Sequence, residues 1–220
     1  MSDSSAPPLH HHHKHWEASL GALTAAVLFL PLPDQFTLGP NWAPTAVVIV
    51  FLLPLTILQE AMRRPGGWTP SPRLARMLAL GLLAVLTLFE AFALALLLIN
   101  LPGQHEGKLL FRAAAPLWGV NLLVFALWYW ELDGGGPARR PPADCPPTDF
   151  LFPQQTDPRL AAGWSPQFLD YVFLAFNTGT AFSPTDTMVL SRQAKATMMA
   201  QATISLLTIG LVVARGVNII

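Results

Sequence analysis

The sequence predicts an all-α membrane protein, a bundle of six membrane segments of which the fifth is short. Three observations predict it. Of 220 residues, 52% are hydrophobic and 12% are charged, whereas soluble domains carry roughly 25% charged residues. Lipid imposes such a deficit because charge is costly inside it. Long apolar stretches alternate with polar turns rich in proline and glycine. Trp16, Trp42, Trp68, Trp128, Trp130 and Trp164 fall at or near the ends of these stretches, where tryptophan anchors helices at the interface, and only Trp118 lies inside one. The length suits one polytopic bundle.

Residues 1–15 form a polar tail with serine, proline and a histidine cluster, and disorder is expected there. The first span runs from Trp16 to about Leu32 and ends in Pro31-Leu32-Pro33-Asp34, not in the small-residue cleavage site of a signal peptide. The second runs from about Asn41 to Leu58, with Pro44 and Pro54 inside, as membrane helices tolerate when neighbours satisfy the freed carbonyls. Ser71-Pro72 reads as a helix cap followed by proline at the first helical position. The third span, Arg73 to Asn100, exceeds a hydrocarbon core of ~30 Å at ~1.5 Å per residue, so it tilts or protrudes. The fourth runs from about Leu109 to Glu131, with Trp128-Tyr129-Trp130 as an interfacial anchor. Residues 132–165, with Gly134-Gly135-Gly136 and many prolines, read as an irregular loop with no packed core of its own. Residues 166–220 give a short helix from Phe168 to Phe176, a polar turn from Asn177 to Asp186, and a final helix from about Ser191 to Gly216. The uninterrupted apolar part of the fifth segment is short enough that a re-entrant hairpin is the alternative to a crossing.

Lysine and arginine positions orient the bundle through the positive-inside rule. Six crossings with both termini cytoplasmic place nine basic residues inside and four outside (Lys108, Arg112, Arg192 and Lys195). Formal net charge is zero, so bulk electrostatics do not point to nucleic acid, and no sequence cluster marks an anionic-lipid tether. Cys145 is the only cysteine, which excludes an internal disulfide and a cysteine-based metal site.

The final helix carries Thr197, Gln201, Ser205 and Thr208 on one face. A polar stripe avoids lipid, so these residues either line a path or make interhelical hydrogen bonds. Ala196 with Ala200 and Gly210 with Ala214 add the small-residue spacing of close helix packing. Asn177, Thr178, Gly179, Thr180, Ser183, Thr185 and Asp186 make the preceding turn rich in hydroxyls and amides. Asp186 caps a backbone turn or, with Asp170, contributes to a cation site if the segment re-enters. Glu90 lies mid-span, where an acid is either neutral and bonded to Asn121 or a proton or cation site. His10 to His13 and His15 are a weak metal signal in a flexible tail, and no metal or cofactor is expected. The chain lacks Gly-x-Ser-x-Gly, His-Glu-x-x-His, a phosphate loop and paired cysteines, so no enzyme activity is expected.

Two resemblances follow from these residues. Short helix, Thr-containing turn ending in Asp186, and long helix resemble the pore module of tetrameric cation channels. With Asp186 set on the filter aspartate, Ser183 and Thr185 stand where that module has glycines and Pro184 where it has tyrosine. That module also needs the preceding loop outside, which would put ten basic residues outside and three inside. Phe168-Leu169-Asp170-Tyr171, Ala181-Phe182-Ser183-Pro184-Thr185-Asp186-Thr187 and Val213-Ala214-Arg215-Gly216-Val217-Asn218 look like an uncharacterised family of small bacterial polytopic inner-membrane proteins. The resemblance implies a bacterial inner membrane. The expected function is permeation of an ion or small solute along the final helix in a homo-oligomer. The alternative is a structural or regulatory membrane subunit that binds another protein through the 132–165 loop.

Overall fold

The computed structural model describes residues 15–37, 39–63, 71–100, 107–141, 145–161, 163–180 and 186–216. The polar tail before His15 and the turn residues Ser183 and Thr185 lie outside them.

Helix α1 spans His15–Val27 and stops short of the sequence expectation of Leu32. Pro31 and Pro33 explain the stop, since proline disfavours helical geometry in the residue before it. The chain continues in tight turns, with Leu30 N–H on the Val27 carbonyl and Leu32 N–H on the Phe29 carbonyl. Helix α2 spans Ala43–Arg63 with Pro54 inside, α3 spans Pro72–Asn100, and α4 spans Gly107–Leu132 with Pro116 inside. The Ser71 carbonyl accepts the N–H groups of Leu74 and Ala75 and so opens α3.

Among the described residues, three helical stretches are long and apolar enough to cross a membrane: Ala43–Met62, Pro72–Asn100 and Arg112–Gly135. Side chains such as Val50, Leu53, Ile57, Leu88 and Ile99 are exposed on these helices, as lipid-facing residues are. The buried share of these stretches rises from 22% in α2 through 39% in α3 to 61% in α4, which makes α4 the central helix. Ala113, Leu117, Val120 and Val124 bury its faces against neighbours.

The described part of residues 132–165 is irregular over most of its length and packs on the bundle instead of on a core of its own. Strand β1, Phe150–Leu151, pairs antiparallel with β2, Met188–Val189, and α5 spans Pro158–Ala161. Phe150 and Phe152 are buried. Phe150 packs edge-on against Tyr129 at 5.4 Å, and Phe152 against Tyr171 at 5.4 Å and Trp164 at 5.6 Å. The interfacial anchor is corrected for the same reason: Tyr129 and Trp130 are buried in protein, and the Trp128 indole N–H donates to the Thr87 hydroxyl at 2.9 Å.

Helix α6 spans Phe168–Thr180 and α7 spans Arg192–Gly216. Asn177, Thr178, Gly179 and Thr180 are therefore the last turn of a helix, where the sequence predicted a turn. At ~1.5 Å per residue, the 13 residues of α1 and of α6 reach about 20 Å each, short of a ~30 Å hydrocarbon core.

Candidate functional site

The polar residues of α6 and α7 converge in one seam against α4. Helix α6 starts beside the C-terminal end of α4, where the Tyr171 hydroxyl donates to Asp133 Oδ2. It ends beside the middle of α4, where Phe176 packs edge-on against Trp118 at 5.9 Å. It is thus antiparallel to α4. Its first turn is held by the Asp170 carboxylate, which accepts the Gln167 N–H at 2.7 Å. Asp186 is exposed, two residues before β2, and among the described residues no three acidic, histidine or cysteine side chains group as a metal site.

Helix α7 lies along α6 in the same direction. The Gln201 amide Nε2 donates to the Ala175 carbonyl at 2.8 Å, and the Ser205 hydroxyl donates to the Gly179 carbonyl at 2.5 Å. The Tyr129 hydroxyl donates to Gln201 Oε1, with the Thr178 side chain beside it. Gln201, Ser205 and Thr208 are no more than 2% exposed, so this part of the stripe faces protein. Thr208 donates within its own helix to the Ile204 carbonyl at 2.9 Å, and half-buried Thr197 does the same to the Gln193 carbonyl at 3.0 Å. Asn177 is buried in the seam.

The hydroxyl-rich end of α6 has a physical reason. The last four carbonyls of a helix have no intrahelical partner, and inside apolar surroundings each must find one. Ser205 takes the Gly179 carbonyl, while the Thr180 hydroxyl donates to the carbonyls of Phe176 at 3.0 Å and Asn177 at 3.3 Å. Gly179 brings its bare backbone within reach of α7: a Cβ there would sit 3.4 Å from Ser205 Oγ and 3.5 Å from Gln201 Nε2.

A second buried polar pair sits on the other flank of α4. Glu90 of α3 and Asn121 of α4 are each 1% exposed. Asn121 is the side chain that interacts with the Glu90 carboxyl, yet neither pair of terminal atoms completes an aligned hydrogen bond.

Sequence reasoning missed the cluster that fastens the end of α4. Arg140 lies 4.6 Å over the Trp130 ring and 5.1 Å from the Tyr171 ring, each measured to the ring centroid. Its Nη2 donates to the Trp130 carbonyl at 2.7 Å and its Nε is 3.4 Å from Asp133 Oδ2. The available signal was a tyrosine inside the apolar run 168–176 and an arginine pair after the glycine turn, which does not identify their partners. No protein-family model matches the chain, and no curated protein or solved structure is detectably similar to it.

Proposed function

We infer that this chain is a multipass membrane protein that passes a small cation, with α6 as a re-entrant half-helix whose inner end is the narrow point of the path. The carrying observation is the parallel run of α6 and α7. Ascending pairs, Ala175 with Gln201 and Gly179 with Ser205, mean that the chain returns along α6 before α7 begins. Strand β2, just ahead of α7, pairs with β1, ahead of α6, so both ends of the hairpin sit at one face. A crossing by α6 would have made the two helices antiparallel.

Re-entry improves the charge distribution. With α1 leading outward, the inner face receives Lys14, Arg63, Arg64, Arg73, Arg76, Arg139, Arg140, Arg159, Arg192 and Lys195, and the outer face only Lys108, Arg112 and Arg215. The C-terminus then lies outside, in place of the cytoplasmic end expected from six crossings. Residues 196–214 of α7 carry no charge, in keeping with a crossing. The resemblance to small bacterial polytopic inner-membrane proteins favours a bacterial inner membrane as the setting.

A half-helix that ends inside the bundle directs the negative end of its dipole and its last carbonyls inward, which favours a cation. Gln201 and Ser205 hold that tip in place, and the path completes between copies in a homo-oligomer. Full satisfaction of Gln201 and Ser205 inside one chain favours the second reading, a structural or regulatory subunit without flux.

Purified protein in vesicles loaded with a cation-sensitive dye separates the two. Flux in the unmodified protein, altered by Ser205→Ala and unaffected by Thr203→Ala on the exposed face of α7, supports permeation. No flux from a folded, correctly inserted protein removes it. In a Cys145→Ser background, an Asn218→Cys label on the side opposite to native Cys145 supports re-entry, and labels on one side refute it.

A further inference from the structure

The sequence shows no run of basic residues, but the fold assembles one. A cavity of about 160 Å³ opens between α2, α3 and the glycine turn that follows α4. Arg76 comes from α3 and Arg139 from the turn, and both line it with Glu131 and Gln59. A single buried water needs only about 10–15 Å³ by this kind of measure, so the space holds a tetrahedral anion with room to spare. Glycine is needed for the rim. Gly135 and Gly136 have φ of 83° and 94°, a region closed to most side chains. A Cβ on Gly135 would come within 3.3 Å of the Arg76 guanidinium, and one on Gly136 within 3.0 Å of the Glu131 carboxylate.

The charges are unequal. The Glu131 carboxylate answers to Arg76 and Arg140. Arg139 is exposed at the rim, and its guanidinium makes no ion pair among the described residues. The pocket therefore keeps a net positive mouth, made of the side chain best suited to bidentate phosphate recognition.

The other walls identify the rest of the occupant. Leu55, Met62, Ala75 and Ala79 make the inner side apolar. Leu55, Gln59, Ala79 and Glu131 are shared with a narrower cleft of about 30 Å³, which continues past Ala22, Leu52 and Leu82 between α1, α2 and α3. By the same measure the cleft has room for about two water-sized groups, so it admits the first carbons of an acyl chain, for which a free anion has no use. The mouth also lies at the end of the bundle that carries most of the basic residues, where anionic lipid is met on the cytoplasmic leaflet.

We propose that this pocket and cleft hold one anionic phospholipid, its phosphate on Arg76 and Arg139 and an acyl chain against Leu52, Leu55 and Ala79. The site is independent of whether the chain conducts.

Full-length protein is purified in mild detergent, incubated with phosphatidylglycerol or phosphatidylcholine, and bound lipid is counted by native mass spectrometry. One tightly retained phosphatidylglycerol is expected per chain, with phosphatidylcholine retained at least roughly tenfold less. Arg76→Gln with Arg139→Gln abolishes that preference, while Arg73→Gln, which removes an exposed charge at the same end of α3, leaves it intact. Ala79→Leu, which fills the junction of pocket and cleft, lowers retention with both arginines present. Equal loss in Arg73→Gln would mean diffuse surface charge and overturn the proposal. Retention unchanged by Ala79→Leu, or displacement by millimolar inorganic phosphate, would reduce the site to a phosphate pocket and overturn the lipid assignment. A denaturant-unfolding midpoint for each variant separates lost binding from lost fold, and Ala79→Leu and the double arginine variant fail by unrelated routes.

Discussion

The contact between Tyr129 and Gln201 fixes how α7 lies on α6 and α4, and a double-mutant cycle tests it. Gln201→Leu removes two hydrogen bonds, one from the Tyr129 hydroxyl and one to the Ala175 carbonyl. Interhelical bonds in membranes average about 0.6 kcal/mol. The Ala175 carbonyl keeps its intrahelical partner, but the Tyr129 hydroxyl is stranded in a site with no water access. Stranding costs about 1–3 kcal/mol, and the neighbouring Thr178 side chain keeps it at the low end. Gln201→Leu should therefore cost about 2 kcal/mol. Tyr129→Phe loses one bond and strands Gln201 Oε1, for about 1.5 kcal/mol. The double variant strands neither group and should cost only about 1 kcal/mol, well below either prediction added to the other. The assay is reversible unfolding in mixed micelles titrated with a denaturing detergent, followed by circular dichroism. If the two single effects simply add, Tyr129 and Gln201 do not interact, and the seating of α7 against α4 at this contact falls with them.

Gly21→Ala should destabilise by about 1–3 kcal/mol in the same assay, because the new methyl would stand 2.7 Å from the buried Phe168 ring; Phe168→Leu in that background should recover part of the loss, and an unaffected single variant would refute the α1–α6 contact. Arg140→Ala should cost about 3–5 kcal/mol by leaving Asp133 buried without its cation, and Arg140→Lys should rescue it poorly, since an ammonium cannot bond the Trp130 carbonyl and lie flat over two rings at once. Glu90→Gln should leave the unfolding midpoint unchanged within error if the group is a neutral hydrogen-bonding partner of Asn121, whereas a changed pH dependence of flux in vesicles would make it a proton site.

The long helices were readable because each apolar run is closed by proline, glycine or a cap. The third span was predicted as Arg73 to Asn100 and forms as Pro72–Asn100, and the final helix was predicted from Ser191 and starts at Arg192. Two parts were not readable. Phe150 finds Tyr129 and Val189 across long sequence separations, and composition registers only the prolines and glycines between them. Asn177 to Thr180 looked like a turn because serine, threonine and asparagine favour turns. In the structure the threonine hydroxyls bond carbonyls of their own helix, Thr178 to Leu174 at 2.8 Å and Thr180 to Phe176 at 3.0 Å, so these groups are satisfied without the chain leaving the helix. The aromatic run at Trp128 to Trp130 misled for a related reason. Amphipathic rings serve an interface equally well whether it faces lipid or another part of the chain.

The polar end of α6 and the polar stripe of α7 are two halves of one solution. A helix that stops inside a bilayer-sized bundle exposes carbonyls that lipid cannot satisfy, at several kcal/mol each. Hydroxyls on its own last turn meet some of them, and the next helix must supply the rest. Ser205 meets one of them, the Gly179 carbonyl, and Gln201 adds a second bond to the Ala175 carbonyl, one turn earlier; the two donors are four apart, as are Ala175 and Gly179. Equal steps in the same order require parallel helices. Parallel neighbours in sequence require a return over the length of the first one. The 11 residues between Thr180 and Arg192 reach up to about 36 Å when extended, against the ~20 Å of α6, so the link suffices with residues left to form β2. A stripe that reads as the wall of a path is thus also what a buried helix end demands of its neighbour, and removing the Ser205 hydroxyl perturbs the tip of the hairpin whether or not an ion passes it.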